Sequence, residues 1–242
     1  MKTVQKLLLG TLVSAASLGS AFATELTSSA NVSLSSDYVF RGISQTNEDP
    51  AIQGGYDISI DSGWYAGIWA SNIGFGEGSL EADIYAGWRK QVNNDWAVDF
   101  GLIRYLYPSG NAQSAEFNYN EVYSNVTFKR LTVNLVYSDD YFGSGVDRFY
   151  YIAGDYSHPV TDRLSVDVHA GLNQFESNDE LTQFLGAAPV DNDNYWDWSV
   201  GLNYQLTNKI GLGITYVDTD IRGQSCVEVC DSRVVASVSA TF

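Results

Sequence analysis

Proline (4), methionine (1), histidine (2) and cysteine (2) are all scarce in this chain of 242 residues. So few prolines beside 14% aromatic residues exclude a disordered chain, because that much apolar ring surface can be buried. Cys226 and Cys230 stand without a third cysteine or a nearby histidine, which makes a poor zinc site. Outside a reducing compartment the pair reads as a disulfide, with free thiols as the alternative. Nowhere is there a run of the roughly 18 apolar residues that a spanning helix needs. Positive charge is short as well: 13 Lys+Arg stand against 29 Asp+Glu, a net charge of -16. That balance excludes a basic nucleic-acid surface and favours cationic partners.

What is present begins with a secretory pattern. Lys2 and Lys6 precede an apolar stretch from Leu7 to Leu18, and Ala21-Phe22-Ala23 has the form of a cleavage site. Residues 1–23 are therefore expected to be a cleaved signal peptide, and 24–242 one domain.

That domain alternates with period two, the signature of half-exposed strands. Twelve segments show it: 30–40, 50–61, 63–73, 79–91, 95–107, 117–129, 131–138, 148–158, 162–174, 194–206, 208–218 and 231–242. No helical periodicity is evident. Short turns with hairpin chemistry alternate with longer loops, the plan of an up-and-down antiparallel barrel. Alternation alone does not say which face is inside. Most segments are long enough for the roughly 9–11 residues that cross a bilayer at a tilt. Aromatics sit near segment ends (Trp64-Tyr65, Trp88, Trp96, Tyr105, Tyr107, Tyr141-Phe142, Tyr195-Trp196, Trp198), as interfacial girdles do. The other face carries Asp37, Arg41, Gln53, Asp57, Asp83, Arg89, Asp99, Glu121, Lys129, Asp155, Asp167, His169 and Asp197, too many charges for a dry core. The expected fold is thus all-β: a transmembrane barrel of about 12 strands around a wet lumen, closed because no sheet edge can stay unpaired in lipid. Arg104 falls on the lipid side, which calls for a bulge or a snorkelling side chain.

The function expected of such a barrel is passive diffusion of small hydrophilic solutes. Acids crowd the longer loops, opposed there by Arg41, Arg148 and Arg222, so the mouth should prefer cations. A solvated acidic rim that holds divalent ions between lipopolysaccharide phosphates reads the same residues equally well. The partners expected are outer-membrane lipid and lipopolysaccharide, the barrel-assembly machinery that reads the terminal Phe242, and small solutes or cations. Nucleic acid is not among them, and neither a cofactor nor a resident metal is expected. Asp191-Asn192-Asp193-Asn194 hints at calcium but lacks the glycine and distal glutamate of an EF-hand loop.

Three rival readings stay open. A structural or adhesive barrel would have a blocked lumen, and residues 174–194, with the apolar Phe184-Leu185-Gly186-Ala187-Ala188, are the candidate plug. An outer-membrane hydrolase would need Ser165, Asp167 and His169, which alternate on one strand face. Such neighbours lie roughly 6.6 Å apart, too far for a direct hydrogen bond. A soluble periplasmic barrel is the third.

The stretch Ser36-Asp37-Tyr38-Val39-Phe40-Arg41-Gly42-Ile43-Ser44-Gln45, followed by Pro50-Ala51-Ile52-Gln53-Gly54-Gly55-Tyr56-Asp57, resembles the N-terminal signature of the TorF-type porins of proteobacteria. Gly63-Trp64-Tyr65-Ala66-Gly67 and Glu81-Ala82-Asp83-Ile84-Tyr85-Ala86-Gly87-Trp88 are similar to it too. The resemblance implies an outer-membrane channel without a defined solute, located in a Gram-negative bacterium, and supplies no catalytic residue. If the signature forms the first hairpin, Arg41 approaches Gln53 and Asp37 approaches Asp57. They would form either a polar ladder for solute or a pin that fixes register.

Overall fold

The computed structural model describes residues 25–76, 78–108, 117–186, 189–222, 226 and 229–242. The signal-like segment lies outside them. The strands are β1 (Leu26–Ser35), β2 (Val39–Phe40), β3 (Ile43–Ser44), β4 (Ala51–Ile60), β5 (Trp64–Asn72), β6 (Leu80–Gln91), β7 (Trp96–Leu106), β8 (Tyr119–Phe128), β9 (Leu131–Ser138), β10 (Phe149–Pro159), β11 (Leu164–Gln174), β12 (Asn194–Gln205), β13 (Ile210–Thr219) and β14 (Arg233–Thr241). Twelve of them close into one antiparallel barrel; β2 and β3 form a separate two-stranded hairpin. β1 closes the ring by pairing with β4 on one side and β14 on the other, from Asn31 opposite Thr241 to Ser35 opposite Ser237. The Phe242 and Ala30 backbones exchange hydrogen bonds of 2.8 and 3.2 Å at this seam.

The apolar set faces outward. Leu34, Ile68, Leu102 and Ile214 are each more than half exposed on the outer wall. In water this would be a continuous liability; in lipid it is the expected surface. Within paired aromatics the period-two rule separates the neighbours. Trp64, Trp96 and Trp196 point out, as a girdle would, whereas Tyr105, Tyr107, Tyr141, Phe142 and Tyr195 are buried inside. The girdle expectation therefore holds for only part of the aromatic clusters.

Three further expectations are corrected. The first strand stops at Ser35 rather than continuing to Phe40, because Ser35 Oγ donates to the Asp37 carbonyl (2.6 Å) and turns the chain off the wall. β7 carries no bulge: Arg104 sits in unbroken register between Ile84 and Asn120. It stays on the outer face two residues from the strand's end, where Arg104 Nη1 donates to Asn120 Oδ1 (3.1 Å). A helix does exist, α1 (Asn178–Leu185). Ser177 Oγ caps it by accepting from the Glu180 N–H, and Gly186 ends it in the left-handed conformation at φ 63°.

On the inner wall, large and small residues interlock. A Cβ placed on Gly67 would lie 2.5 Å from the Tyr85 ring, and Gly87, Gly101 and Gly171 are covered in the same way by Tyr65, Tyr123 and Tyr151. Each ring lies along the wall over a glycine of a neighbouring strand.

Candidate functional site

The lumen is the concave site of this molecule, and the β2–β3 hairpin sits inside it. Asp37 is the anchor where the hairpin leaves the wall. Its Oδ1 accepts from Ser44 Oγ (2.7 Å) and Thr46 Oγ1 (2.8 Å), and its Oδ2 meets Arg233 Nη1 of β14 at 3.1 Å. Further along, Ser44 N–H donates to the Val229 carbonyl (2.9 Å), and Tyr38 OH donates to Glu81 Oε1 of β6 (3.1 Å). The hairpin reverses at Arg41 (φ 49°) and Gly42 (φ 82°). Positive φ at both central residues is what a two-residue turn between twisted strands demands. Gly42 is also forced by contact, since a Cβ there would lie 2.3 Å from Thr219 Cγ2 and 2.8 Å from Asp197 Cβ.

The Arg41 tip reaches the far wall. Its Nη1 and Nη2 donate to Glu121 Oε1 and Oε2 of β8 at 2.7 and 2.9 Å. Tyr105 OH donates to the same carboxylate (3.0 Å), and Tyr195 OH donates to the Arg41 carbonyl (3.2 Å). The rings of Phe40, Tyr151, Phe149 and Tyr141 surround the guanidinium carbon at 4.6, 4.6, 5.0 and 5.3 Å. With 6% and 2% of their side chains exposed, Arg41 and Glu121 form an almost fully buried ion pair.

Around the hairpin the outer half of the lumen is packed solid with Tyr107, Tyr119, Tyr141, Phe142, Phe149 and Phe175. α1 lies over this core: Leu181 is buried, and Phe184 meets Tyr141 and Phe175 at centroid distances of 5.1 and 5.3 Å. The segment 174–194 thus contributes a lid, and the blocking element in the lumen is the hairpin at 36–50. Ala187 and Ala188 lie outside the described residues. Toward the short-turn end the lumen becomes wet. Along β12, Tyr195 and Asp197 are buried, Ser199 is half-buried and Asn203 is exposed. A cavity of about 900 Å³ opens beneath the hairpin, bounded by Gln53, Trp69, Tyr85, Asn134, His169, Ser199 and Thr215 together with Arg41 and Glu121.

The residues singled out in the sequence fall into three groups. Asp37, Arg41, Asp83, Glu121 and Asp197 belong to the dry outer half. Gln53, Asp57, Asp99, Asp155, Asp167 and His169 line the wetter half, while Arg89 and Lys129 are exposed near the short turns. Arg89 stands opposite Asp99, 5.3 Å from the Tyr65 ring. Neither expected approach occurs. Gln53 is opposite Ser33 and Asp57 is opposite Ser29, because the chain departs from the wall before Asp37. Asp57 and Asp99 instead accept from Tyr85 OH and Tyr65 OH, both at 2.6 Å.

His169 does not join Ser165 and Asp167. Its Nδ1 meets Asp155 Oδ1 at 2.7 Å and its Nε2 meets Asp197 Oδ1 at 2.8 Å, with Tyr151 OH at 2.9 Å. Asp167 accepts from Ser157 Oγ (2.5 Å) and Asn203 Nδ2. The serine–histidine–aspartate constellation considered for a hydrolase is therefore not assembled.

In the loops, Cys226 and Cys230 form a disulfide. Asp193 Oδ1 accepts from Asn194 Nδ2 (2.7 Å), which with Gln174 holds the Asp193 carboxyl below its ordinary value. Among the described residues, the three carboxylates that converge are Asp147, Glu176 and Glu180 rather than those of 191–194. Sequence reasoning missed Glu81, Phe149 and Tyr151 as site residues, and assigned Tyr141 and Tyr195, buried here, to an interfacial girdle. It placed Arg41-Gly42 in the loop after the first strand and did not read the pair as the turn of a hairpin inside the lumen.

A family model described as "Bacterial protein of unknown function (Gcw_chp)" matches residues 20–242. No curated protein matches by sequence. Among solved structures, the KdgM porin in complex with disordered oligogalacturonate is 10% identical at a TM-score of 0.56, over 88% of this chain and 99% of that one. The NanC porin is 12% identical at a TM-score of 0.55, over 88% and 98%. At that identity the likeness concerns the fold alone, which in this chain is a closed twelve-stranded antiparallel barrel. The barrel fold that the N-terminal resemblance implies is thereby supported; the TorF name is not among the names found.

Proposed function

Starting from the chain's membership in the Gcw_chp family, whose description names no activity, we propose that it is a porin-like channel of the Gram-negative outer membrane, of the TorF type, for small hydrophilic cations. The observation that carries this reading is the cavity of about 900 Å³, lined by polar and apolar side chains together, that runs up to a stopper made of a single short hairpin. Residues 1–23 direct export, Phe242 marks the chain for the assembly machinery, and the outward apolar band meets lipid and lipopolysaccharide. Cation preference follows from Asp57, Asp99, Asp155 and Asp167 in the wet half, set against Arg89 and His169. A low-dielectric channel lined by one sign of charge concentrates counter-ions and repels co-ions. Oligogalacturonate, found with the KdgM porin, is a polyanion, and these carboxylates would repel it.

The packed outer half favours one alternative, a permanently plugged structural or adhesive barrel. Planar-bilayer recording of the refolded protein under a salt gradient separates the two. We expect rare openings in the wild type, and steady cation-selective conductance once residues 38–45 are replaced by a short glycine–serine turn. A heat-modifiable, folded barrel that conducts in neither form would establish the plugged alternative.

A further inference from the structure

The Arg41 guanidinium is held as a ligand would be, by groups that mostly do not belong to its own hairpin. Glu121, Tyr105, Tyr141, Phe149 and Tyr151 lie on the wall or in an outer loop, and stay behind if the hairpin swings away. They supply a carboxylate that accepts both prongs of a planar fork, a hydroxyl that orients it, and aromatic faces around the cation. Arg41, Glu121 and Tyr151 are among the residues that border the cavity beneath. There is also acid to spare. Asp83 Oδ1 and Glu81 Oε2 on β6 are buried without a hydrogen-bond partner, and Asp83 lies directly opposite Tyr105.

We propose that Arg41 occupies a solute site, and that the site takes guanidinium-bearing solutes, which compete with Arg41 for Glu121 and so release the hairpin. The proposal rests on the cation-channel reading and gives it a substrate class. Tethering gives Arg41 an effective concentration in the millimolar range, so a free solute displaces it only at comparable levels or after the tether is weakened. The strained tip, with a non-glycine residue at φ 49°, lowers that threshold.

The test empties the site by Arg41→Ala, with Arg41→Gln as a second variant should the first fail to give a heat-modifiable barrel. Single-channel recordings are made with millimolar methylguanidinium chloride and, as control, tetramethylammonium chloride. We expect methylguanidinium to block the variant selectively, and the added change Glu121→Gln to weaken that block about tenfold or more. Thermal stability of the same proteins in detergent, with each salt, reads binding independently of conductance. A rise in Tm specific to methylguanidinium and lost with Glu121→Gln supports the site. Equal shifts in Tm with both salts, or equal block by both in a conducting variant, overturn it. A variant that binds but never conducts would retain the site and sink the channel reading instead.

Discussion

Arg41 and Glu121 are 80 residues apart in sequence and joined by two hydrogen bonds of 2.7 and 2.9 Å across the lumen. The arginine comes from the hairpin between β1 and β4, and the glutamate from β8 on the far side of the barrel. Each charge is buried, so each depends on the other. Removing one partner of such a pair costs about 3–5 kcal/mol, mostly because the other charge is left without compensation.

Glu121→Gln should therefore undock the hairpin without unfolding the barrel, since that side chain joins barrel strands only by the bond from Tyr105 OH and the β7–β8 backbone ladder does not run through it. Trypsin is the direct readout. The Arg41–Gly42 bond should resist cleavage in the wild type, where the Arg41 side chain is buried, and should be cut rapidly in the variant, with heat-modifiable migration retained. Equal protection in both would mean that the ion pair does not hold the hairpin.

Gly42 offers an independent route to the same state. Alanine there meets both an unfavourable φ of 82° and atoms 2.3 and 2.8 Å from its Cβ. Gly186, at the C-cap of α1, has φ 63° with open space around it. Gly186→Ala should cost only the backbone term, about 1 kcal/mol. Gly42→Ala should cost more and expose the Arg41 bond to trypsin, whereas Gly186→Ala should not.

Much of this architecture is written in the alternation. Strand number, the outward apolar face and the closing of β1 on β14 all follow from period two and the need to pair every edge. The stopper is harder to read, because Tyr38, Val39, Phe40 and Arg41 continue the same alternation after the chain has left the wall. The cue lies in Ser35, Asp37 and Ser44, side chains that bond to local backbone or to each other and so favour a turn over a ladder. Periodicity likewise placed Arg41 and Glu121 on the inside but could not pair them. Their partnership depends on a hairpin crossing the lumen, a relation with no sequence period. The α1 helix was legible in Ser177 and Glu180, a capping pattern three residues apart that the surrounding strand pattern obscured.

The tyrosine–glycine contacts predict a paired effect. Gly67→Ala forces the Tyr85 ring off the wall and breaks its 2.6 Å bond to Asp57, driving bulk into the wet lumen. In a variant freed of its hairpin, conductance should fall with Gly67→Ala and recover when Tyr85→Ala is added. Failure of the second change to restore conductance would place the obstruction elsewhere.

The disulfide ties the last outer loop to the stopper. Val229, inside the ring closed by Cys226 and Cys230, accepts from Ser44 N–H at 2.9 Å, and the Cys230 carbonyl accepts from Thr219 Oγ1 at 3.0 Å. Closing so small a ring restricts the open loop by about 2 kcal/mol in the loop-entropy model. None of the described barrel strands contains either cysteine, so that restriction bears on the loop and the hairpin it grips. Replacing both cysteines by serine should leave barrel stability nearly unchanged while raising trypsin cleavage after Arg41 and the frequency of brief openings. The effect should be smaller than that of Glu121→Gln, because one backbone hydrogen bond is loosened rather than a buried charge abandoned. A double-serine variant with wild-type cleavage and gating would confine the disulfide to its own loop.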